Sequence, residues 1–374
     1  MDRIGISQVD ALFVNGGYPI EFVFYFPGGV PTGKVRDALR RLSTTFWPLF
    51  GRYRDGAIVR SSRDGENDHL LETVRDRPFD SSMDAMGLWR EFRDLNPVST
   101  GALFFLGVVQ FDNGTVLVPR LSHLAGDGYS YFYFLSVLAS LCQPSALPFR
   151  GPVIRWLAAP RVKRTVLRDY HFDRTDLEAR PAEREGTIRL ERIPRRQVQA
   201  EADKLSNESG VRVSANDLLS AMVVSAAAGR QTPVQQDFGL TIPVDVRRRV
   251  KALGPKFLGN GILLHRLIFS REELARDEPA TLALKLRRAA PQISAERYRD
   301  YLAGLETEIE SLPTRDLGPY DPDRGCLVTN LSRMPVQRLD FGSGPPTLVF
   351  PVTVGRNSVA VLAEGEDFLL RFVD

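Results

Sequence analysis

His123-Leu124-Ala125-Gly126-Asp127-Gly128 places an imidazole four residues ahead of a carboxylate and five ahead of a glycine. Near neutral pH an imidazole can take a proton from a hydroxyl or amine and return it to a leaving group, so His123 is a candidate general base. The hexapeptide lies between a strand-like run, Thr115 to Leu121, and a helix-like run, Tyr129 to Leu138. A strand that ends on a tight glycine turn exposes one side chain at the sheet edge, with a helix N-terminus close by. Asp127 has two readings here: it orients the imidazole, or it caps the helix from Tyr129. The N–H groups around Gly128 could stabilise a developing oxyanion, and a plain turn glycine explains the residue equally well.

A chain of 374 residues exceeds one ordinary core and favours two lobes. With 43% hydrophobic and 25% charged residues, it falls outside the disordered and membrane classes. A net charge of +3 is too small to argue for nucleic acid. Cys142 and Cys326 can build neither a disulfide framework nor a four-ligand metal site. His69, His171 and His265 lack ligand spacing, so no metal is expected. Met1 to Asp10 has no signal-peptide pattern and no apolar run reaches membrane-spanning length, so the expectation is a cytoplasmic protein without membrane association.

The elements that must position His123 read as mixed α/β. Glu21 to Phe26 reads as a strand, Lys34 to Thr45 as a helix, and Leu103 to Phe111 with Thr115 to Leu121 as a hairpin about Asp112-Asn113-Gly114. Residues 161–186 turn polar and charged. The expected organisation is a first lobe over 1–165, a crossover linker over 166–186 and a second lobe over 187–374. In the second lobe Arg195 to Ser209 and Ser214 to Ala228 read as helices, the latter with Ser214 and Asp217 at capping-box positions. Gln236 to Pro243, Gly261 to Phe269, Cys326 to Leu331, Thr347 to Val352, Ser358 to Leu362 and Phe368 to Phe372 read as strands. A cleft between two such lobes is a natural binding site.

Three tempting motifs fail. Gly28 to Val35 matches G-x-x-x-x-G-K after a strand, but Val35 stands where a magnesium-binding hydroxyl belongs and Pro31 removes a backbone donor. Asp-Phe-Gly occurs at Asp237 and at Asp340 without the other kinase parts. No G-x-S-x-G elbow exists, and neither cysteine has an obvious histidine partner.

Beyond the hexapeptide, Phe46 to Tyr53, the D-x-R-x-R of Asp245-Val246-Arg247-Arg248-Arg249, Phe257-Leu258-Gly259-Asn260 and Asp340-Phe341-Gly342-Ser343-Gly344 follow in order. Together these elements resemble the BAHD acyltransferases, within the wider group that includes chloramphenicol acetyltransferase and peptide-synthetase condensation domains. The resemblance implies two chloramphenicol-acetyltransferase-like α/β lobes with mixed sheets, flanking helices and a channel between them. It implies acyl transfer from acyl-CoA, as co-substrate, to a hydroxyl or amine of a specialised metabolite. His123 is then the catalytic base in a ternary complex with no acyl-enzyme and no tightly bound cofactor.

By the same resemblance Asp127 points away from the channel and pairs with Arg247, or as second choice Arg249, to aim His123. Asp340, Gly342 and Gly344 become fold determinants near the channel. Ser332 is the candidate for pantetheine, and Lys256 and Arg333 for coenzyme A phosphates, although solvated surface charge explains those two as well. The implied partners are a small-molecule acceptor and acyl-CoA, in a monomer. A donor held on an acyl carrier protein is the enzymatic alternative, and a non-acylating relative that binds or cyclises a small molecule is the alternative of another class. Ser343 departs from the family, whose usual motif is D-F-G-W-G, and puts any role of that ring in doubt.

Overall fold

A computed structural model describes residues 2–60, 69–95, 102–143, 160, 172, 174, 177–179, 186–230, 237–352 and 355–373. The first half holds strands β1 (Arg3–Gly5), β2 (Ile20–Phe26), β3 (Arg52–Arg54), β4 (Ala57–Val59), β5 (Leu70–Arg75), β6 (Phe104–Phe111) and β7 (Gly114–Leu121). Its helices are α1 (Gln8–Ala11), α2 (Thr32–Thr45), α3 (Ala85–Phe92) and α4 (Gly128–Cys142). The second half holds β8 (Ile188–Pro194), β9 (Phe238–Asp245), β10 (Ile262–Phe269), β11 (Gly325–Asn330), β12 (Leu348–Pro351), β13 (Ser358–Glu364) and β14 (Asp367–Val373). With them come α5 (Arg195–Ser209), α6 (Ala215–Arg230), α7 (Arg271–Arg276), α8 (Pro279–Arg288) and α9 (Ala295–Ser311). Most of the linker expected over 166–186 lies outside the described residues.

Two mixed sheets dominate. One has the order β12-β2-β7-β6-β5 and the other β10-β9-β11-β13-β14-β8, while β1, β4 and β3 form a small third sheet. The expected hairpin pairs Phe104 with Leu121 through Phe111 with Gly114. On one face of the first sheet Phe22, Phe24 and Phe26 pack with Leu39 and Leu42 of α2 and Phe132, Phe134 and Leu135 of α4. On one face of the second, Phe368, Leu370 and Phe372 pack with Val198 of α5, Leu219 of α6 and Leu282 of α8. These period-two sets put each strand's apolar side chains on one face, as a half-covered sheet requires. The capping box of α6 forms, with the Ser214 N–H and hydroxyl donating to Asp217 at 2.7 and 2.6 Å.

Pro119 stands inside the central strand β7, where it cannot donate to the ladder. The Tyr131 hydroxyl fills the gap: it donates to the Pro119 carbonyl at 2.9 Å and accepts from the Phe22 N–H. This bond ties α4 to the strand that leads into the turn carrying His123.

One assignment needs correction. Chain order places the strand near 347–352 in the second lobe, but β12 pairs antiparallel with β2, from Leu348 opposite Tyr25 to Pro351 opposite Phe22, and so belongs to the first sheet. The intervening loop explains the route. The Asp340 carboxylate accepts from the N–H groups of Gly342 (2.7 Å) and Gly344 (3.0 Å), both glycines at positive φ, and the Ser343 hydroxyl donates to the Gly29 carbonyl. The loop thereby docks just beyond β2 and delivers the chain to that strand's free edge. Helices α7 to α9 also go beyond the sequence reading.

Candidate active site

β7 ends at Leu121, and Asp127 is the N-cap of α4, its carboxylate accepting from the Ser130 N–H at 2.9 Å. The same carboxylate meets Arg247 in a two-pronged pair, Nη2 to Oδ1 at 2.9 Å and Nη1 to Oδ2 at 2.8 Å, and also accepts from the Gly261 N–H at 2.9 Å. Arg247 is only 2% exposed and Asp127 3%, so an unpaired partner on either side would be a bare charge in the interior. The guanidinium also meets the carbonyl of Gly259 (2.8 Å), the Ser130 hydroxyl (3.1 Å), Asp245 (3.0 Å) and the Phe257 carbonyl (3.3 Å), with Nη2 shared among its acceptors. The rings of Tyr129 and Phe257 lie 4.6 and 5.5 Å from its central carbon. Burial alone would raise the Asp127 carboxyl, but Arg247 and the two backbone donors outweigh it and hold it below the ordinary carboxylate value. Arg249, the second choice as partner, is exposed.

Three consecutive residues hold the histidine turn from the second half of the chain. Gly259 exchanges bonds with the Ser130 hydroxyl, accepting at 2.8 Å and donating at 3.1 Å. Asn260 donates from Nδ2 to both the His123 carbonyl and Asp10 Oδ1, each at 2.8 Å, which fixes its amide orientation because both partners are acceptors. Gly261 supplies the N–H to Asp127. A methyl group on residue 261 would stand 2.8 Å from the guanidinium carbon of Arg247, so only glycine fits the approach. Gly261→Ala is therefore expected to destabilise the fold by about 1–3 kcal/mol, read as a lower denaturant midpoint with an unchanged slope.

Asp10 and Asn260 carry no role in the sequence reading, although Asn260 stands in one of its motifs. Asp10 forms the capping box of α1 with Ser7, accepting from the Ser7 N–H at 2.7 Å, and its other oxygen meets Asn260. Three residues on, Phe13 stacks on the His123 ring with centroids 4.0 Å apart and planes 19° apart. The imidazole thus has the Phe13 ring stacked behind it. Burial lowers its pKa from the ordinary histidine value; Asp127, its own carbonyl, Asn260 and Asp10 pull the other way without restoring it. Nδ1 makes no hydrogen bond to another residue.

His123 forms part of the wall of a cavity of about 120 Å³ between the two sheets. Phe13, Ile20, Glu21 and Phe22 line it from the first half, and Pro243, Ile262, Leu264, Leu327 and Thr329 from the second. Gly128, at the N-terminus of α4, lies on the same wall and faces Leu331. A base, a helix N-terminus and an apolar chamber in one place suit proton transfer coupled to attack on a carbonyl. Among the described residues no cluster could hold a metal ion.

Other expected site residues lie apart from this wall. The Ser332 hydroxyl donates to Asn330 at 2.7 Å, Arg333 is exposed, and Lys256 is half-buried beside Pro255, whose carbonyl accepts from the Tyr129 hydroxyl at 2.9 Å. The Asp340 loop is not at the cavity. It meets the C-terminal end of α4, where Gln143 donates to the Asp340 carbonyl, and at 1.5 Å per residue that end is about 20 Å from Gly128. Ser343 does not line the cavity at His123.

The geometry and the motifs agree with known proteins. A family model described as the Transferase family matches residues 68–366, and the chain belongs to this family, the BAHD acyltransferases. A shikimate O-hydroxycinnamoyltransferase of Nicotiana tabacum is 26% identical over 93% of this chain and 86% of its own length. An anthranilate N-benzoyltransferase of Dianthus caryophyllus is 25% identical over 83% of this chain and 74% of its own. Vinorine synthase shares the fold with a TM-score of 0.76 at 16% identity, covering 100% of this chain and 90% of that one. TRI101 of F. sporotrichioides, solved with coenzyme A and T-2, does so with a TM-score of 0.73 at 17% identity, covering 100% and 94%. The chain is thus an acyltransferase with the chloramphenicol-acetyltransferase-like fold. No helix among the described residues is long and apolar enough to cross a membrane.

Proposed function

We propose that this acyltransferase moves an acyl group from a coenzyme A thioester to a hydroxyl or amine of a small specialised metabolite, with His123 as general base and no acyl-enzyme. The observation that carries the reading is the His123 ring on the wall of the chamber between the sheets, with the α4 N-terminus on the same wall. Nε2 removes the acceptor proton as the acceptor oxygen or nitrogen attacks the thioester carbonyl, and the imidazolium then returns that proton to the leaving thiolate. Negative charge on the carbonyl oxygen is favoured near the α4 N-terminus, where backbone N–H groups converge. Asp127 acts through Arg247 as scaffold rather than as a proton carrier. Cys142 and Cys326 are both buried, which agrees with direct transfer instead of a covalent intermediate.

Ser332, Lys256 and Arg333 are the proposed coenzyme A contacts. Leu331 packs on Gly128, so residues 332–333 leave the chamber beside the first turn of α4, and Pro255 brings Lys256 to the same turn. The names of the relatives, one an O-hydroxycinnamoyltransferase and one an N-benzoyltransferase, support aromatic acyl donors and both acceptor types. The test offers p-coumaroyl-CoA and benzoyl-CoA, each with shikimate, anthranilate and simple alcohols and amines, and follows free thiol and product mass. Thiol release dependent on acceptor, with the matching mass gain, is the expected result; none across the panel, with no binding of coenzyme A, would defeat the proposal.

The pH profile gives an independent check. His123 accepts a proton only when neutral, so activity is lost as pH falls through its folded-state pKa, which lies below the ordinary histidine value of 6.5. The acid limb of kcat/KM should therefore lie below that value, and a limb above it would contradict the assignment. Since the unfolded histidine titrates at the ordinary value, His123 also lowers stability as pH drops below it.

A further inference from the structure

The χ2 torsion of a histidine is broad, so the plane of its ring is set by what surrounds it. A general base needs that plane fixed, because its lone pair must point at the proton it takes. The common device is a carboxylate bonded to Nδ1. Here the Asp127 carboxylate is turned to Arg247, and Nδ1 makes no hydrogen bond to another residue. What lies against the imidazole is the Phe13 ring, near-parallel at 4.0 Å between centroids and 19° between planes, on a residue only 2% exposed. A close stack of this kind restrains χ2, since turning the imidazole out of the common plane drives its edge into the neighbouring ring.

Phe13 is itself held on both sides by the second half of the chain. Before it, the Asp10 carbonyl accepts from the Phe13 N–H at 3.0 Å, and the Asp10 carboxylate accepts from the Asn260 amide that also donates to the His123 carbonyl. After it, Asn15 donates from Nδ2 to the carbonyls of Leu317 (2.8 Å) and Thr314 (3.1 Å) and accepts from the Gly17 N–H (3.0 Å). Asp10 and Asn260 are fully buried and Asn15 nearly so, which shields these bonds from water. His123, Asn260, Asp10 and Phe13 thus form a closed circuit in which the stack of the two rings is the last link.

We infer that Phe13 is a positioning residue of this enzyme: it fixes the plane of the His123 imidazole, the part that a carboxylate on Nδ1 takes in other sites. The inference rests on the proposed acyl transfer with His123 as base. Phe13 also lines the chamber, so a wall that only shapes the substrates' space is the competing role. The two roles differ in what they change. A wall acts on substrate binding, whereas a ring that aims the base acts on the chemical step and only while the imidazole is present.

The test uses the full chain with the best donor and acceptor pair of the panel above. Phe13→Leu removes the ring but keeps an apolar side chain, and should lower kcat about tenfold or more while the KM of donor and of acceptor each stays within about twofold. Phe13→Tyr keeps the stack and should hold kcat within about threefold of the wild type. In the His123→Ala background, Phe13→Leu should cost nothing further, because its effect runs through the imidazole. If the leucine variant does not fold, Phe13→Met, whose flexible chain fills irregular space, takes its place. Unchanged kinetics, or a rise in KM at constant kcat, would leave Phe13 as wall alone and overturn the inference. Equal losses in the leucine and tyrosine variants, or a full further loss in the His123→Ala background, would overturn it as well by reducing Phe13 to packing. Failure of the base assignment shows separately, as activity retained by His123→Ala itself.

Discussion

His123→Ala is expected to lower acyl transfer by about a hundred- to ten-thousandfold, the range that a positioned acid–base group contributes, with the protein still folded. Removal of the ring leaves Phe13 without its stacking partner, but the bond from the Asn260 side-chain amide to the 123 carbonyl does not depend on the histidine side chain. Coenzyme A affinity should change little, because the thioester's pantetheine and phosphates are assigned to other residues. Steady-state kinetics, far-UV circular dichroism and coenzyme A calorimetry on the same preparation check all three points. A variant that keeps most of its activity would remove His123 as the base.

The second large effect concerns stability. Asp127→Ala and Arg247→Ala each strand a buried charge and should cost roughly 3–5 kcal/mol. The double variant Asp127→Ala, Arg247→Met should lose less than the sum, because no uncompensated charge remains, and a double-mutant cycle in denaturant reads the difference. Arg247→Lys should fail to rescue, since one ammonium cannot serve the two carboxylate oxygens and several carbonyls that the guanidinium meets. Because Asp127 is held below its ordinary pKa, the pair's contribution is present above that ordinary value and is lost as pH falls through the folded one. A cycle with no coupling would mean that the loop 259–261 holds the turn without the ion pair.

The sequence shows what local chemistry determines and hides what depends on distant partners. The hairpin over β6 and β7 is legible because its apolar residues are dense on both sides of an Asn-Gly turn, and α6 because Ser214 and Asp217 mark its start. Asp127 as cap is legible for the same reason. The α9 core positions Tyr298, Leu302, Leu305 and Ile309 have helical spacing, but they stand among charged residues that weaken the signal. The role of Asp10 is hidden, since a capping carboxylate has a second oxygen whose partner, Asn260, is 250 residues away. The sheet to which β12 belongs is hidden too, because four apolar residues suit any free edge.

That stray strand governs how the chain could be divided. A cut in the crossover between the halves would leave the N-terminal piece with β2 as an open edge and the C-terminal piece with β12 as a tail seeking one. Such a pair can associate by strand donation, as pilin subunits do with their neighbours. Expressed together from separate genes, the two pieces should recover catalysis as a complex, and deletion of residues 348–351 from the second should abolish that recovery. The enzyme is in this sense already a self-complementing split protein whose two parts happen to share one chain.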